Sequence, residues 1–218
     1  MPKSLMINLA RPISECPISA LHGPGERLVM WVQGCSVRCT DNCINPAALV
    51  DLDRYLISVE EAIEQARERL RSAPNVEGVT ILGGEPTDQP EALSVLLRSL
   101  RAEGLGVMLY SGHTWERLQR RMEGNAVLRD LFDEVDLLID GPFLDKQYDP
   151  ALLWRGSSNQ RIRCLTDRYE AEALSLAPVL RGVDLVLTAE GRLHLSGMHN
   201  PEVTSSLEET LLRVARLG

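Results

Sequence analysis

The chain passes from an apolar strand into a cysteine-rich loop between Leu28 and Pro46, where it reads LVMWVQGCSVRCTDNCINP. Cys35, Cys39 and Cys43 fall within nine residues, each separated from the next by three others. Thiolates this close repel one another unless a cation or a cluster neutralises them. Three cysteines also leave one iron of a four-iron cluster open to another ligand. The stretch therefore predicts a 4Fe–4S cluster that binds a further molecule.

Two other uses of these cysteines remain open alternatives. Zinc could be bound by the three cysteines and one histidine, but structural zinc sites more often pair two C-x-x-C units, and the chain has no second pair. A disulfide framework is disfavoured by the odd count of five cysteines and by the lack of a secretory signal. We interpret the isolated Cys16 and Cys164 as buried small apolar residues.

Composition limits the class of protein. At 218 residues with 44% apolar content, we expect one domain spanning residues 1–218 with a full core. The net charge of −8 and the absence of a basic run disfavour nucleic-acid binding. No apolar run approaches the ~20 residues that span a bilayer, so we expect a cytoplasmic protein without membrane contact.

Short apolar strands alternate with helical segments along most of the chain. Ser58 and Glu61 form a capping box in front of one such helix. The predicted strands are Leu5 to Leu9, Leu28 to Val32, Val79 to Leu82, Val107 to Tyr110 and Val135 to Ile139. This order indicates an α/β fold of parallel strands with flanking helices.

Most of these strands end in small or polar residues. The second runs into the cysteine loop, and the next three are followed by Gly83 to Glu85, Ser111-Gly112 and Asp140. We expect these ends to converge, because parallel neighbouring strands end at the same edge of a sheet. Further along, the pattern predicts a strand at Ile162 to Leu165, a hairpin around Glu190-Gly191, and a last helix capped by Ser205 and Glu208.

Seven pieces of the chain, in order, resemble the radical S-adenosylmethionine (SAM) superfamily, and within it the activating enzymes of anaerobic (class III) ribonucleotide reductase. They are Gly23-Pro24-Gly25, Val32-Gln33-Gly34-Cys35, Cys43-Ile44-Asn45-Pro46, Leu82-Gly83-Gly84-Glu85-Pro86, Tyr110 to Trp115, Asp140-Gly141-Pro142-Phe143 and Arg155 to Arg161. A lone Gly-Gly-Glu would be weak evidence, whereas seven ordered pieces are specific.

The resemblance implies a partial (β/α) barrel of the radical SAM type. It implies that Cys35, Cys39 and Cys43 hold a 4Fe–4S cluster whose open iron chelates SAM. Gly83, Gly84 and Glu85 would then meet the methionine ammonium, which suits two glycines and a carboxylate. The remaining SAM contacts implied are Asn42, Cys43, Ile44, Ser111 and Asp140.

The resemblance also implies an activity. Reductive cleavage of SAM at the cluster would give a 5′-deoxyadenosyl radical, which takes a hydrogen atom from a glycine of a protein partner. That partner would be a glycyl-radical enzyme such as anaerobic ribonucleotide reductase. Flavodoxin or ferredoxin would supply the electron.

Two departures from the family keep alternatives open. Three residues, Thr40 to Asn42, separate the last two cysteines where the family has two, and His22 stands where the activating enzymes have aspartate. These departures favour, as a second hypothesis, a radical SAM enzyme that modifies a peptide or small molecule; a zinc-binding module is the third.

Four further residues are candidates for contact with a substrate or partner. They are His22, Arg155, Asn159 and Arg161. We interpret His22 as a solvated loop histidine, and the other three side chains could equally tie down their own loop.

Overall fold

The described part of the chain is built around one eight-stranded sheet and a separate two-stranded hairpin. The structure is a computed structural model that describes residues 4–50, 52–170, 174, 177, 179–180, 182–188, 191 and 193–197. Its strands are β1 (Met6–Leu9), β2 (Ile18–Ser19), β3 (Arg27–Val32), β4 (Tyr55–Ser58), β5 (Gly78–Gly83), β6 (Gly106–Ser111), β7 (Leu137–Asp140), β8 (Arg161–Cys164), β9 (Asp184–Leu187) and β10 (Leu193–Ser196). Its α-helices are α1 (Val59–Arg71), α2 (Pro90–Arg101), α3 (Trp115–Glu123) and α4 (Ala126–Phe132).

The strand order is β4-β1-β3-β5-β6-β7-β8, with β2 paired to β3. Strands β3, β5, β6 and β7 are parallel neighbours, whereas β1, β2, β4 and β8 join antiparallel. The predicted parallel β/α core is therefore confirmed, and its four carboxyl ends lie at one edge. The described strands form an open sheet with β4 and β8 at its ends, and the expected partial barrel is not confirmed.

Helices α1 and α2 cover the sheet with the apolar faces that their sequences predict. The Ser58 hydroxyl accepts a hydrogen bond from the backbone N–H of Glu61 at 3.2 Å, which confirms the N-terminal cap of α1. Helix α2 buries leucines spaced three and four residues apart: Leu93, Leu96, Leu97 and Leu100. Burying each of these side chains stabilises the fold by roughly 1.5–3 kcal/mol.

Several local features differ from the sequence prediction. Helix α4 was not predicted. It begins at Ala126 and is capped by Asn125, whose side chain accepts from the backbone N–H of Leu128 at 3.1 Å. Cys16 is buried as expected, but Cys164 is exposed on edge strand β8, so that prediction was wrong. The predicted hairpin is present as β9 and β10. Glu190 and the predicted helix at Ser205 lie outside the described residues.

None of the helices among these described residues combines the length and apolar character needed to cross a bilayer.

Candidate active site

A cleft opens at the edge where the parallel strands end. It holds about 1030 Å³ not filled by protein atoms, including the part open to solvent. The predicted site residues that line it are His22, Cys35, Cys39, Cys43, Ile44, Gly83, Gly84, Glu85 and Ser111. The fold thus brings the cysteine loop and the glycine-rich turn together, as the strand ends predicted.

The three cysteines are partly buried, and all three line this cleft. Two of the sulfurs accept a hydrogen bond from a backbone N–H. The donors are Arg38 to Cys35 and Asn45 to Cys43, each at 3.4 Å. Such bonds favour the thiolate form, which is the form that binds metal.

The neighbouring sulfurs also affect one another. Burial raises the pKa of Cys39 and of Cys43, and the negative charge of the other cysteine sulfurs raises both further. A bound cationic group would reverse this effect, because it favours the deprotonated ligand. Within the described ranges no three Cys, His, Asp or Glu side chains converge on a single metal position.

The glycines after β5 allow that strand end to lie against the cysteine loop. A Cβ at Gly84 would fall 1.8 Å from the carbonyl oxygen of Gly34, and Gly83 has a φ of +115°. The backbone N–H of Glu85 donates to the same Gly34 carbonyl at 2.8 Å. A side chain at position 84 would therefore displace the loop that carries the cysteines.

Glu85 is buried at the floor of the cleft, with 1% of its surface exposed. Its Oε1 accepts from the backbone N–H (3.1 Å) and the hydroxyl (2.7 Å) of Thr87 and from the hydroxyl of Ser111 (2.9 Å). Its Oε2 accepts from the backbone N–H of Gly112 at 2.9 Å. Burial raises the pKa of Glu85, and these four hydrogen bonds oppose that rise. The carboxylate therefore joins the ends of β5 and β6.

Asp140 lies in a network of ion pairs outside the residues that line the cleft. Its Oδ2 accepts from the Trp115 backbone N–H (2.8 Å) and from Arg161 (2.7 Å), and its Oδ1 accepts from Arg163 (2.7 Å). The side chain is fully buried. Arg161 also pairs with Glu116 at 2.8 Å, and this pairing lowers the pKa of Glu116 to about 2. The Asp140 contacts give it a structural role, and its predicted contact with SAM stays a prediction.

The segment around residues 155–160 is held by its own hydrogen bonds. The Arg155 guanidinium donates to the Gln160 carbonyl at 3.3 Å, and the Asn159 amide donates to the Pro142 carbonyl at 2.7 Å. These contacts match the alternative in which the side chains tie down their loop. Asn42 is exposed and is not among the residues that line the cleft. Its SAM contact stays a prediction.

His22 is buried, so its interpretation as a solvated loop histidine was wrong. It is 8% exposed, lines the cleft and packs edge-on against the Trp31 ring at 6.0 Å between centroids. Its Nε2 lies 3.3 Å from the Ser196 hydroxyl and 3.5 Å from Asp184 Oδ2. His22 is buried because the hairpin of β9 and β10 packs over the loop before β3. Its Leu195 also lines the cleft.

Sequence reasoning also missed several apolar residues of the cleft. Trp31, Tyr110 and Phe143 line it beside the cysteines. Phe143 follows a strand end that the sequence analysis did mark, and that position was the available signal. Trp31 and Tyr110 lie within strands, where they are indistinguishable by sequence from core residues. These side chains keep water from much of the cleft wall.

The chain matches the family model described as a 4Fe-4S single cluster domain over residues 21–163. This match covers more than half of the chain and includes the three cysteines, the turn after β5 and the ends of β6 and β7. The hairpin of β9 and β10 lies beyond it.

Several curated relatives share a name. The chain is 31% identical over 157 residues to the anaerobic ribonucleoside-triphosphate reductase-activating protein of Vibrio cholerae, covering 69% of this chain and 95% of that protein. It is 29% identical over 156 residues to the protein of that name from Escherichia coli K12, covering 68% of this chain and 95% of that protein. For the bacteriophage T4 protein the identity is 28% over 155 residues, with 69% and 92% covered.

Proposed function

Since the chain belongs to the 4Fe-4S single cluster domain family, we propose that it is a radical SAM activating enzyme that generates a glycyl radical on a protein partner. The relatives named as activating proteins of anaerobic ribonucleoside-triphosphate reductase support this proposal. So does the resemblance of the ordered motifs to the radical SAM superfamily. The partner is a glycyl-radical enzyme of the anaerobic ribonucleotide reductase type.

Cys35, Cys39 and Cys43 hold the 4Fe–4S cluster in this proposal. The donor set fits: three partly buried sulfurs line one cleft, and thiolates are the ligands that iron–sulfur clusters use. When bound, the cluster and SAM together supply a one-electron reductive cleavage that yields a carbon radical. The chain's own task is to orient SAM and to exclude water.

SAM lies in the cleft against the ends of β3, β5 and β6 in this proposal. Glu85 binds the methionine ammonium through Oε2, which accepts only the Gly112 N–H among the described donors. Gly83, Gly84 and Ser111 border the same space, as do Cys43 and Ile44. The apolar side chains of Trp31 and Phe143 keep solvent from the reacting bond.

The proposal extends to the surroundings of the reaction. Flavodoxin or ferredoxin supplies the electron, and the enzyme works in the cytoplasm, where the reducing environment protects the cluster. The parallel strands β3, β5, β6 and β7 form the core of an incomplete β/α barrel of the radical SAM type. One domain carries the whole site.

A single observation carries the function: three cysteines and the Gly83-Gly84-Glu85 turn face one cleft at the edge where parallel strands end. The test is anaerobic reconstitution with iron and sulfide, followed by SAM and dithionite. We expect 5′-deoxyadenosine and methionine in equal amounts, and a glycyl radical signal by electron paramagnetic resonance (EPR) once the co-encoded glycyl-radical enzyme is added. No 5′-deoxyadenosine would refute the radical SAM proposal.

A second candidate function is radical modification of a peptide or small molecule. Buried His22 in the cleft wall favours it, as does the hairpin, which lies beyond the family match and borders the cleft through Leu195 and Ser196. The same assay separates the two. SAM cleavage without a glycyl radical, together with modification of a short co-encoded peptide, would support this candidate instead.

A further inference from the structure

The first two cysteines are each followed by a hydroxyl residue that an aspartate from another segment holds. Ser36 donates to Asp88 through both its backbone N–H and its hydroxyl, each at 2.8 Å. The Thr40 hydroxyl donates to Asp145 Oδ2. A hydroxyl that donates to a carboxylate makes a stronger bond than one between neutral groups. The cysteine loop is therefore hydrogen-bonded to other segments at two points, one next to Cys35 and one next to Cys39.

The hydrogen bond between Thr40 and Asp145 lies in the segment Thr40 to Asn42, which has one residue more than the family has. The Thr40 hydroxyl also accepts from the backbone N–H of Asn42 at 3.1 Å, which closes a turn over the three residues between Cys39 and Cys43. One hydroxyl thus holds the turn as an acceptor and fastens it to Asp145 as a donor. Valine, which has the same shape, can do neither.

Both aspartates belong to segments that follow parallel strands. Asp88 ends the short 3-10 helix after β5, and Asp145 begins the one after β7. Phe143, two residues before Asp145, lines the same cleft as Cys39. The segment after β7 therefore borders the cleft with the second cysteine and is hydrogen-bonded to the residue that follows this cysteine.

We propose that Thr40 and Asp145 are positioning residues that set Cys39 and Cys43 as cluster ligands and so allow three residues between them. Ser36 and Asp88 fix Cys35 in the same way. The inference rests on the proposed function, because it assigns these cysteines to the cluster. It explains how three cysteines with a longer loop line one cleft: the turn absorbs the added residue, and the aspartate holds the turn in place.

The test compares reconstituted wild type with Thr40→Val, Thr40→Ser, Asp145→Ala and the control Asp41→Asn. Asp41 is exposed in the same loop and is not one of the residues that hydrogen-bond to Thr40 or Asp145, so its replacement changes the charge without removing the bond between Thr40 and Asp145. Two readouts are used: the rate of cluster loss to an iron chelator, followed by visible absorption, and the EPR spectrum of the reduced cluster. Far-UV circular dichroism of each variant establishes that it is folded.

We expect Thr40→Val and Asp145→Ala to lose the cluster roughly tenfold faster than wild type, since a hydrogen bond to a charged group is removed. Their EPR spectra change, because Cys39 is no longer held through the hydrogen bond of the residue that follows it. Thr40→Ser restores both readouts, and Asp41→Asn matches wild type. In a further variant that combines Thr40→Val with Asp145→Ala, the two effects on cluster loss do not add, because both single changes break the same bond.

Two results overturn the inference. One is a Thr40→Val variant whose rate of cluster loss and EPR spectrum are the same as those of wild type. The other is an equal effect of Asp41→Asn, which would mean that the loop is sensitive to any change. Failure of the proposed function looks different: wild type itself would then take up no iron and sulfide, or would hold the cluster without cleaving SAM. If Thr40→Val does not fold, Asp145→Ala with Asp41→Asn decides the question by the same readouts.

Discussion

Replacing Asp140 with asparagine separates a structural role from a ligand-binding role at the end of β7. The carboxylate is fully buried and accepts from Arg161, Arg163 and the Trp115 backbone N–H, all at 2.7–2.8 Å. Asparagine has one oxygen, so its amide nitrogen would face one of these donors. It also removes the negative charge at the N-terminus of α3.

The expected loss follows from these contacts. Breaking a buried ion pair costs about 3–5 kcal/mol, and solvent at the arginines reduces that figure to about 2–3 kcal/mol here. Arg161 is 43% exposed and Arg163 is 26% exposed, which is why the reduction applies. For a chain of this length such a loss lowers the Tm by roughly 5–10 °C.

The assay is thermal unfolding of the metal-free protein, with Asp130→Asn in α4 as the control. Asp130 is exposed, and the same change of charge there should move the Tm little. SAM affinity is then measured by calorimetry on cluster-loaded Asp140→Asn, well below its Tm. Because Asp140 lies outside the residues that line the cleft, we expect its SAM affinity to stay within about threefold of wild type, a difference under 1 kcal/mol. An unchanged Tm with a large loss of SAM affinity would refute this reasoning.

Three further predictions concern other groups at or near the cleft. Burial lowers the pKa of His113 to about 4. Because that value is below the ordinary 6.5, folding stability should fall as pH falls from 6.5 to 4. NMR titration of the ring and a flatter pH profile in His113→Gln check this. Glu85→Gln should weaken SAM binding by about tenfold or more, since it removes the charge proposed to face the ammonium; calorimetry measures it. His22→Ala should speed hydrogen exchange in β9 and β10 but not in β6, because His22 joins that hairpin to the loop before β3.

The sequence predicted the part of the site that depends on the order of strands. Four apolar strands end in the cysteine loop, Gly83 to Glu85, Ser111-Gly112 and Asp140, and in the structure β3, β5, β6 and β7 are parallel neighbours. Parallel neighbours place their carboxyl ends at one edge, so local pattern and topology agree. The cluster was predicted from the spacing of the three cysteines, which is local and does not depend on how the rest of the chain folds.

What the sequence did not predict depends on partners that are distant along the chain. His22 is buried because Asp184 and Ser196 approach it from a hairpin more than 150 residues away. Asp140 is drawn into ion pairs because β8 joins β7 antiparallel, with Arg161 directly opposite. A polar residue at a strand end is predicted to lie near the cleft. The direction of its side chain also depends on the charged residues of the neighbouring strand, as Asp140 and Arg161 show.

The most direct test of the central claim is the iron and sulfide content of anaerobically reconstituted protein. If Cys35, Cys39 and Cys43 together hold one 4Fe–4S cluster, wild type should bind about four iron and four sulfide per chain, and replacing any one of the three with serine should remove most of both. About one zinc per chain without sulfide would contradict the account. So would full iron and sulfide content in a protein that lacks one of these cysteines.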